Sequence, residues 1–258
     1  LYEYVFSYQF DMMPKVMNYT EGIILGSASR READAVFKIY TKELGLVDFQ
    51  AKSVKKAQAK LKFNLQPFNR AIIYFVPARY LPIIIDAKVE NNFAVIKNDL
   101  ERLKLAGAVG HVLKNIFEPG WPDYRSWQKV TEYFDSLNNP AVGADKISNL
   151  TCLMCYQLLW LGGFDPELAR CTVCLKPIFR GRLNISLING GLVHSDCSYS
   201  QVSLKVDRGV LYLVNDLKKT DAPAVLSQDL DTPVWNDFRK LTQFFFQYYF
   251  GLDIGELI

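Results

Sequence analysis

From Thr20 to about Glu90 the apolar residues come in short runs separated by polar or Gly/Pro breaks: Gly22–Gly26, Ala35–Thr41, Leu46–Val54, Phe68–Val76 and Leu81–Val89. The pattern predicts five short strands. Alternation is clearest where Val36, Lys38 and Tyr40 interleave with Ala35, Phe37 and Ile39, and Leu44-Gly45 then reads as a turn. After Asn91 the period lengthens. Asn98 with Glu101 forms a capping-box signal ahead of a helical stripe through Leu103, Val109, Val112, Leu113 and Ile116, which Pro119-Gly120 ends. A second helix is predicted from about Asp123 to Leu137, stopped by Asn138-Asn139-Pro140, and a third from about Asp145 to Leu161, stopped by Gly162-Gly163. These three are expected to pack together. The last helix starts with Thr232 as cap and Pro233 in the first helical position, buries Val234, Phe238, Leu241, Phe245 and Tyr249, and has Gly251 just past its end. Asp207–Leu217 is read as a further helix, although Val210, Tyr212 and Val214 also alternate like a strand.

Five strands in about 70 residues suit a small closed barrel, of which the OB-fold is the common nucleic-acid-binding example. The fold class expected is therefore α+β: an OB-type five-stranded barrel over residues 17–90, then an α-helical domain over 91–258 with a metal knuckle embedded at 170–198. Residues 1–16 are aromatic-rich, begin without Met and lack the marks of a secretory signal; they are set apart as an extension or start-site artefact, with Met12, Met13 and Met17 as alternative starts. At 258 residues, half of them apolar, the chain has ample material for a core. No apolar run approaches the roughly 18 to 20 residues needed to cross a bilayer, which excludes a helical membrane protein at this level, and cytoplasm is the default compartment.

Cysteine spacing changes the picture most. Cys171-x2-Cys174 and His194-x2-Cys197 are two tight pairs joined by a loop containing Gly181, Gly190 and Gly191. Such pairs bring four soft donors to the corners of a tetrahedron, and three thiolates with one neutral imidazole would hold a single structural Zn²⁺ with no position left for a substrate water. Iron is the lesser alternative. A zinc deaminase needs His-x-Glu ahead of Pro-Cys-x-x-Cys; here Arg170 precedes Cys171, and neither His111 nor His194 is followed by Glu at that spacing. Cys152 and Cys155 lie within an apolar helix and are read as core.

Net charge is only +3, but its distribution is uneven. Lys52, Lys55, Lys56, Lys60, Lys62, Arg70 and Arg79 fall between Phe49 and Ile85 with no acidic residue among them. Such a block concentrates polyanions at one face. The lysines from 52 to 62 are expected on one exposed loop, Arg30-Arg31 are candidates to extend the patch, and Phe49, Phe63, Phe68 and Tyr74 are candidate rings for base stacking.

With these segments in hand, the chain resembles the RecO family of bacterial DNA repair proteins from about Asn18 onward. Thr20-Glu21-Gly22-Ile23-Ile24-Leu25, Arg31-Glu32-Ala33-Asp34, Thr41-x2-Leu44-Gly45 and Leu65-Gln66-Pro67-Phe68 are similar to that family's first domain. Gly163-Phe164-x-Pro166-x-Leu168-x2-Cys171-x2-Cys174 and Gly190-Gly191-Leu192-Val193 are similar to its zinc region, and Tyr249-x-Gly251 to its closing helix. His194 stands where the family more often has a fourth Cys. The resemblance implies an N-terminal OB-fold, a helical domain with a zinc knuckle, and a nucleoid-associated, non-enzymatic role. That role is to bind single- and double-stranded DNA, to anneal complementary strands, and to act with RecR in helping RecA displace single-strand-binding protein (SSB). A hydrophobic groove beside the last helix for the SSB C-terminal tail is likewise only what the resemblance implies. Some family members lack the cysteines, so it also implies that zinc is not the active part.

Two other classes stand beside this reading, a zinc-dependent nucleic-acid-modifying enzyme such as a nucleobase hydrolase, and a pure protein-interaction module. Reversing Lys52, Lys55 and Lys56 to Glu is expected to lower DNA affinity and flatten its salt dependence. Unchanged binding at low salt would place the DNA elsewhere.

Overall fold

The computed structural model describes residues 17–30, 34–54, 60–178, 183–197, 203–228 and 231–255. Arg31, Lys55 and Lys56 lie outside them, as do residues 1–16. The described chain falls into two compact units, 1–138 and 139–258.

The first unit is built on a closed five-stranded barrel, with strands β1 (Asn18–Ser29), β2 (Ala35–Thr41), β3 (Gly45–Ala51), β4 (Arg70–Val76) and β5 (Ile83–Asn91) in the order β1-β2-β3-β5-β4. Alternating burial along β2 and β4 is the two-residue period read in the sequence, with one face turned to the barrel interior. β1 serves two neighbours. Its first half pairs with β4 from Asn18↔Phe75 to Ile23↔Arg70, and its second half with β2 from Gly22↔Thr41 to Ser29↔Ala35. A register shift between Ile24 and Gly26 bends the strand between these partners, as barrel closure requires. A short parallel pairing, Gln50↔Ile83 and Ala51↔Ile84, completes the ring. Helix α1 (Lys60–Asn64) was not foreseen; it replaces part of the expected lysine loop, and Leu61 and Leu65 pack against the barrel core.

Helices α2 (Ala94–Asn98), α3 (Leu100–Ile116) and α4 (Tyr124–Leu137) belong to the same compact unit. An aromatic layer explains why. Tyr40 of the barrel lies 6.0 Å from Phe117 and 5.9 Å from Trp127, and Phe68 lies 5.9 Å from Phe134, which also meets Phe93 at 5.5 Å. The compact units therefore divide at Asn138/Asn139, well beyond the end of the barrel near residue 90. Helix α5 (Ala144–Leu161) belongs to the second unit. The cap of α3 also moves by one residue: Asp99, rather than Asn98, accepts from the Glu101 and Arg102 amides.

In the second unit α5 is surrounded by α6 (Gly209–Lys219), α7 (Ala222–Leu226) and α8 (Thr232–Phe250). Tyr156 of α5 meets Phe238 and Phe245 of α8 at 5.3 and 6.1 Å. α6 buries Val210, Leu213, Val214 and Leu217, a helical stripe that resolves the ambiguity of this segment. Thr232 is the first residue of α8 rather than its cap; Asp231 flanks it without a side-chain hydrogen bond. The far end follows expectation. Gly251 takes a left-handed φ of 65°, and the Leu252 amide donates to the Phe246 carbonyl. Between α5 and α6 a small antiparallel sheet, unforeseen from sequence, orders β7 (Gly191–Val193), β6 (Leu183–Ser186) and β8 (Ser203–Val206). Among the described residues no helix is long and apolar enough to cross a membrane.

Two glycines test this packing with opposite signs. Gly45 has φ +67°, and a Cβ there would stand 2.4 Å from the Trp121 carbonyl oxygen, whereas a Cβ on Gly107 in α3 meets nothing within 4 Å. Gly45→Ala is expected to destabilise by about 2 kcal/mol or more, and Gly107→Ala to stabilise by about 0.5 to 1 kcal/mol. Shifts of the urea midpoint in opposite directions check this.

Candidate metal centre and nucleic-acid groove

Cys171, Cys174, His194 and Cys197 converge so that their ligand atoms lie within 4.8 Å of one another, and the Cys174 Sγ is 3.3 Å from the His194 Nδ1. The convergence is built by backbone pairing. The Glu167 amide donates to the Gly190 carbonyl at 3.0 Å, the Leu192 amide to the Glu167 carbonyl at 2.9 Å, and the Thr172 amide to the Leu192 carbonyl at 2.8 Å. The strand-like run before Cys171 is thus stitched along the β6–β7 hairpin. Gly191 is needed there, because a Cβ would stand 2.2 Å from the Glu167 carbonyl oxygen. The Leu175 amide closes the Cys-x-x-Cys turn on the Cys171 carbonyl at 2.9 Å, and β7 passes directly into His194 and the 3-10 turn Ser195–Cys197.

The electrostatics of the cluster follow from crowding sulfur donors. Burial pushes the Cys171 thiol up, but hydrogen bonds from the Cys174, His194 and Val173 backbone and from the His194 side chain outweigh it and bring it down to about 6. Cys197 is pushed up to about 11 by burial, by hydrogen bonding to Cys174 and Cys171, and by their negative charge. One cation would relieve that repulsion. Metal–sulfur bonds of about 2.3 Å put tetrahedral corners about 3.8 Å apart, so the donor set fits one metal ion.

Cys152 and Cys155 are fully buried in α5, and burial pushes both thiols up, Cys152 to about 12. Both are core residues. His111 is exposed on α3 and belongs to no metal-holding group among the described residues.

At one end of the barrel Arg30 just past β1, the end of β3 and the β4–β5 loop form an open groove of about 430 Å³, lined by Arg30, Gln50, Lys52, Ala78, Arg79, Tyr80, Leu81 and Ile83. Three of the predicted basic residues therefore meet there. Asp34 lies nearby, but its carboxylate accepts from the Ser53 amide at 2.9 Å and from Gln50 at 3.4 Å. Lys62 is exposed on α1, which Lys60 opens, and Lys62 does not line the groove. Arg70 is elsewhere: it pairs with Asp135 at 3.3 Å and Glu21 at 3.6 Å and lies 5.9 Å from the Phe93 ring, tying the barrel to α4.

The rings singled out for stacking fare less well. Phe49 and Phe68 are buried, Tyr74 is half-buried against Tyr19, and Phe63 is exposed on α1 away from the groove lining. Sequence reasoning missed Tyr80, which is 72% exposed in the groove. Its signal was present: an aromatic in the strand-breaking segment Pro77-Ala78-Arg79-Tyr80-Leu81-Pro82 has little core to enter.

Known proteins similar to this chain extend over both units. A DNA repair protein RecO from Desulforamulus reducens is 24% identical over 232 residues, covering 89% of this chain and 88% of that protein. Another from Rubrobacter xylanophilus is 26% identical over 178 residues, covering 69% and 70%, and a third from Desulfatibacillum aliphaticivorans is 23% identical over 252 residues, covering 95% and 96%. The model of the recombination protein O N-terminal domain matches residues 16–93 and that of its C-terminal domain residues 97–257, so the chain belongs to the RecO family.

Proposed function

We propose that this chain is a DNA-binding recombination mediator of recombinational repair. It binds single- and double-stranded DNA, anneals complementary strands, and with RecR helps RecA load onto strands covered by SSB, whose C-terminal tail it engages. Its place is the bacterial cytoplasm, at the nucleoid. The observation that carries the reading is the groove shared by Arg30, Lys52 and Arg79. OB-type barrels take oligonucleotides on the loops joining strands 1–2 and 4–5, and this groove lies where Arg30, at the exit of β1, meets the β4–β5 loop. Cations there would displace condensed counterions from the phosphates, so binding would weaken steeply with salt. Arg70, engaged with Asp135 and Glu21, is given a structural role in this proposal.

The ion at Cys171, Cys174, His194 and Cys197 is proposed to be a single structural zinc. Three thiolates and an imidazole are soft-to-borderline donors that suit it, and four protein ligands leave no open position for a hydrolytic water. That supports mediation over zinc-dependent chemistry on nucleic acid. Binding of this kind contributes roughly 10 to 16 kcal/mol in zinc-finger peptides, which is enough to order a small loop-rich knuckle.

Three measurements test this. Protein purified without chelator is expected to carry about one equivalent of zinc by elemental analysis; Cys171→Ser should abolish it and lower the melting temperature, whereas His194→Cys should keep it. Replacing Arg30, Lys52 and Arg79 together by Ala should weaken single-strand binding at least tenfold and reduce the salt slope by about two, while Arg70→Gln should lower stability and leave the slope alone. An unchanged slope in the triple variant would remove the groove from consideration. Annealing of complementary oligonucleotides coated with SSB, with and without RecR, separates a mediator from a plain DNA binder; no acceleration under either condition would overturn the proposed role.

A further inference from the structure

The groove contains more than charge. Its wall is apolar at Ala78, Leu81 and Ile83, and Tyr80 stands beside these residues with 72% of its surface exposed. Most barrel rings have no such freedom: Phe37, Tyr40, Phe49 and Phe75 are in the core. Among the described residues, the other strongly exposed rings of the first unit lie outside the groove lining. Tyr19 leans on Tyr74, and Tyr124, exposed with Lys42 5.9 Å from its ring centroid, has no place in the groove lining. Tyr80 has Arg79 as its neighbour instead, the guanidinium carbon 5.4 Å from the ring centroid. A cation thus sits beside an open aromatic surface.

Cations alone treat duplex and single strand much alike, because both present phosphates. An exposed ring next to an apolar wall offers a surface that only an unstacked base can cover. In an intact duplex every base is already stacked on its neighbours, so such a ring has nothing to receive. We propose that Tyr80 is the base-stacking residue of this groove and makes it select unpaired strands over intact duplex, an inference that rests on the groove being the DNA site. Arg79 then has two parts, holding a backbone phosphate and bracing the ring through a cation–π contact. Arg30 and Lys52 serve the backbone of either form of DNA.

The test uses the full chain and three fluorescent probes of equal length: oligo(dT), the same strand with abasic sites throughout its middle, and a duplex closed at both ends by base-free ethylene glycol linkers so that no end can fray and no base is unpaired. Tyr80→Ala is expected to weaken oligo(dT) binding at least about fivefold, to leave closed-duplex binding within about twofold, and to keep the salt slope unchanged because no phosphate contact is lost. Tyr80→Phe should retain the preference for oligo(dT), and on the abasic strand wild type and Tyr80→Ala should bind alike. Equal loss on oligo(dT) and duplex, or no loss on either, would overturn the role of Tyr80. The Arg30→Ala, Lys52→Ala double variant separates that failure from a failure of the groove itself. If it weakens both DNA forms and flattens the slope, the groove stands without Tyr80, and if it changes nothing, both readings fall. Coincident thermal melts of wild type and Tyr80→Ala exclude unfolding as the cause.

Discussion

Barrel closure is the constraint on which the candidate DNA groove depends. β3 and β5 run parallel and share only Gln50↔Ile83 and Ala51↔Ile84, with the Gln50 amide donating to the Pro82 carbonyl at 2.9 Å. That short stitch sets the end of β3 beside the β4–β5 loop. The β1–β2 pairing, running out to Ser29↔Ala35, brings Arg30 to the same end. Lys52, Arg79 and Arg30 come from segments separated by more than twenty residues in each interval, and no local structure would bring them together. Parallel pairing gains little per residue, so the joint also relies on the core beneath it, where Phe49 and Phe75 meet edge-on at 5.2 Å.

The opposite requirement, to keep part of the barrel surface out of water, explains the helices of the first unit. Tyr40, Phe68 and Phe93 form an apolar face that is covered by Phe117, just past the end of α3, and by Trp127 and Phe134 of α4. Polar groups fix the position of that cover. Asn138 accepts from the Val95 and Ile96 amides and so caps α2 from the end of α4, while Arg70 bridges Glu21 and Asp135. A cation that reads as part of a basic block along the chain is in space a bracket between strand and helix.

The second unit solves a different problem. The run between α5 and α6 has only short strands, and backbone pairing through Glu167, Gly190 and Leu192 assembles four donors, three of which would otherwise repel as thiolates. A structural ion would turn that repulsion into the tie holding the knuckle, consistent with a bracing role at a distance in the chain from the groove residues. The hydrophobic helices around α5 form their own core, in which Cys152 contacts Thr242 at 3.6 Å and is chemically quiet because burial disfavours its thiolate.

The amino-acid pattern alone determined the five barrel strands and the helices α3, α4, α5 and α8, because alternation in β2 and β4 and the stripe in α8 record which face each element buries, but it did not show α1 or the small β6–β8 sheet. It also singled out the four residues that could hold a metal ion, since two Cys/His pairs at tight spacing carry their geometry locally, and only the hairpin register was needed to join them. What tertiary structure decided is partnership. Strand period cannot say that Gln50 pairs with Ile83, so it could not say which basic residues share a groove, that Arg70 leaves it for Asp135, that Phe49 and Phe68 turn inward, or that Tyr80 stays out. Nor could helix periodicity assign α3 and α4 to the barrel and α5 to the other unit, because an apolar stripe specifies that a face must be covered and not what covers it. Charge and apolarity are properties of single residues; closure and ion pairing act between residues distant along the chain, and they decide where the chemistry lies.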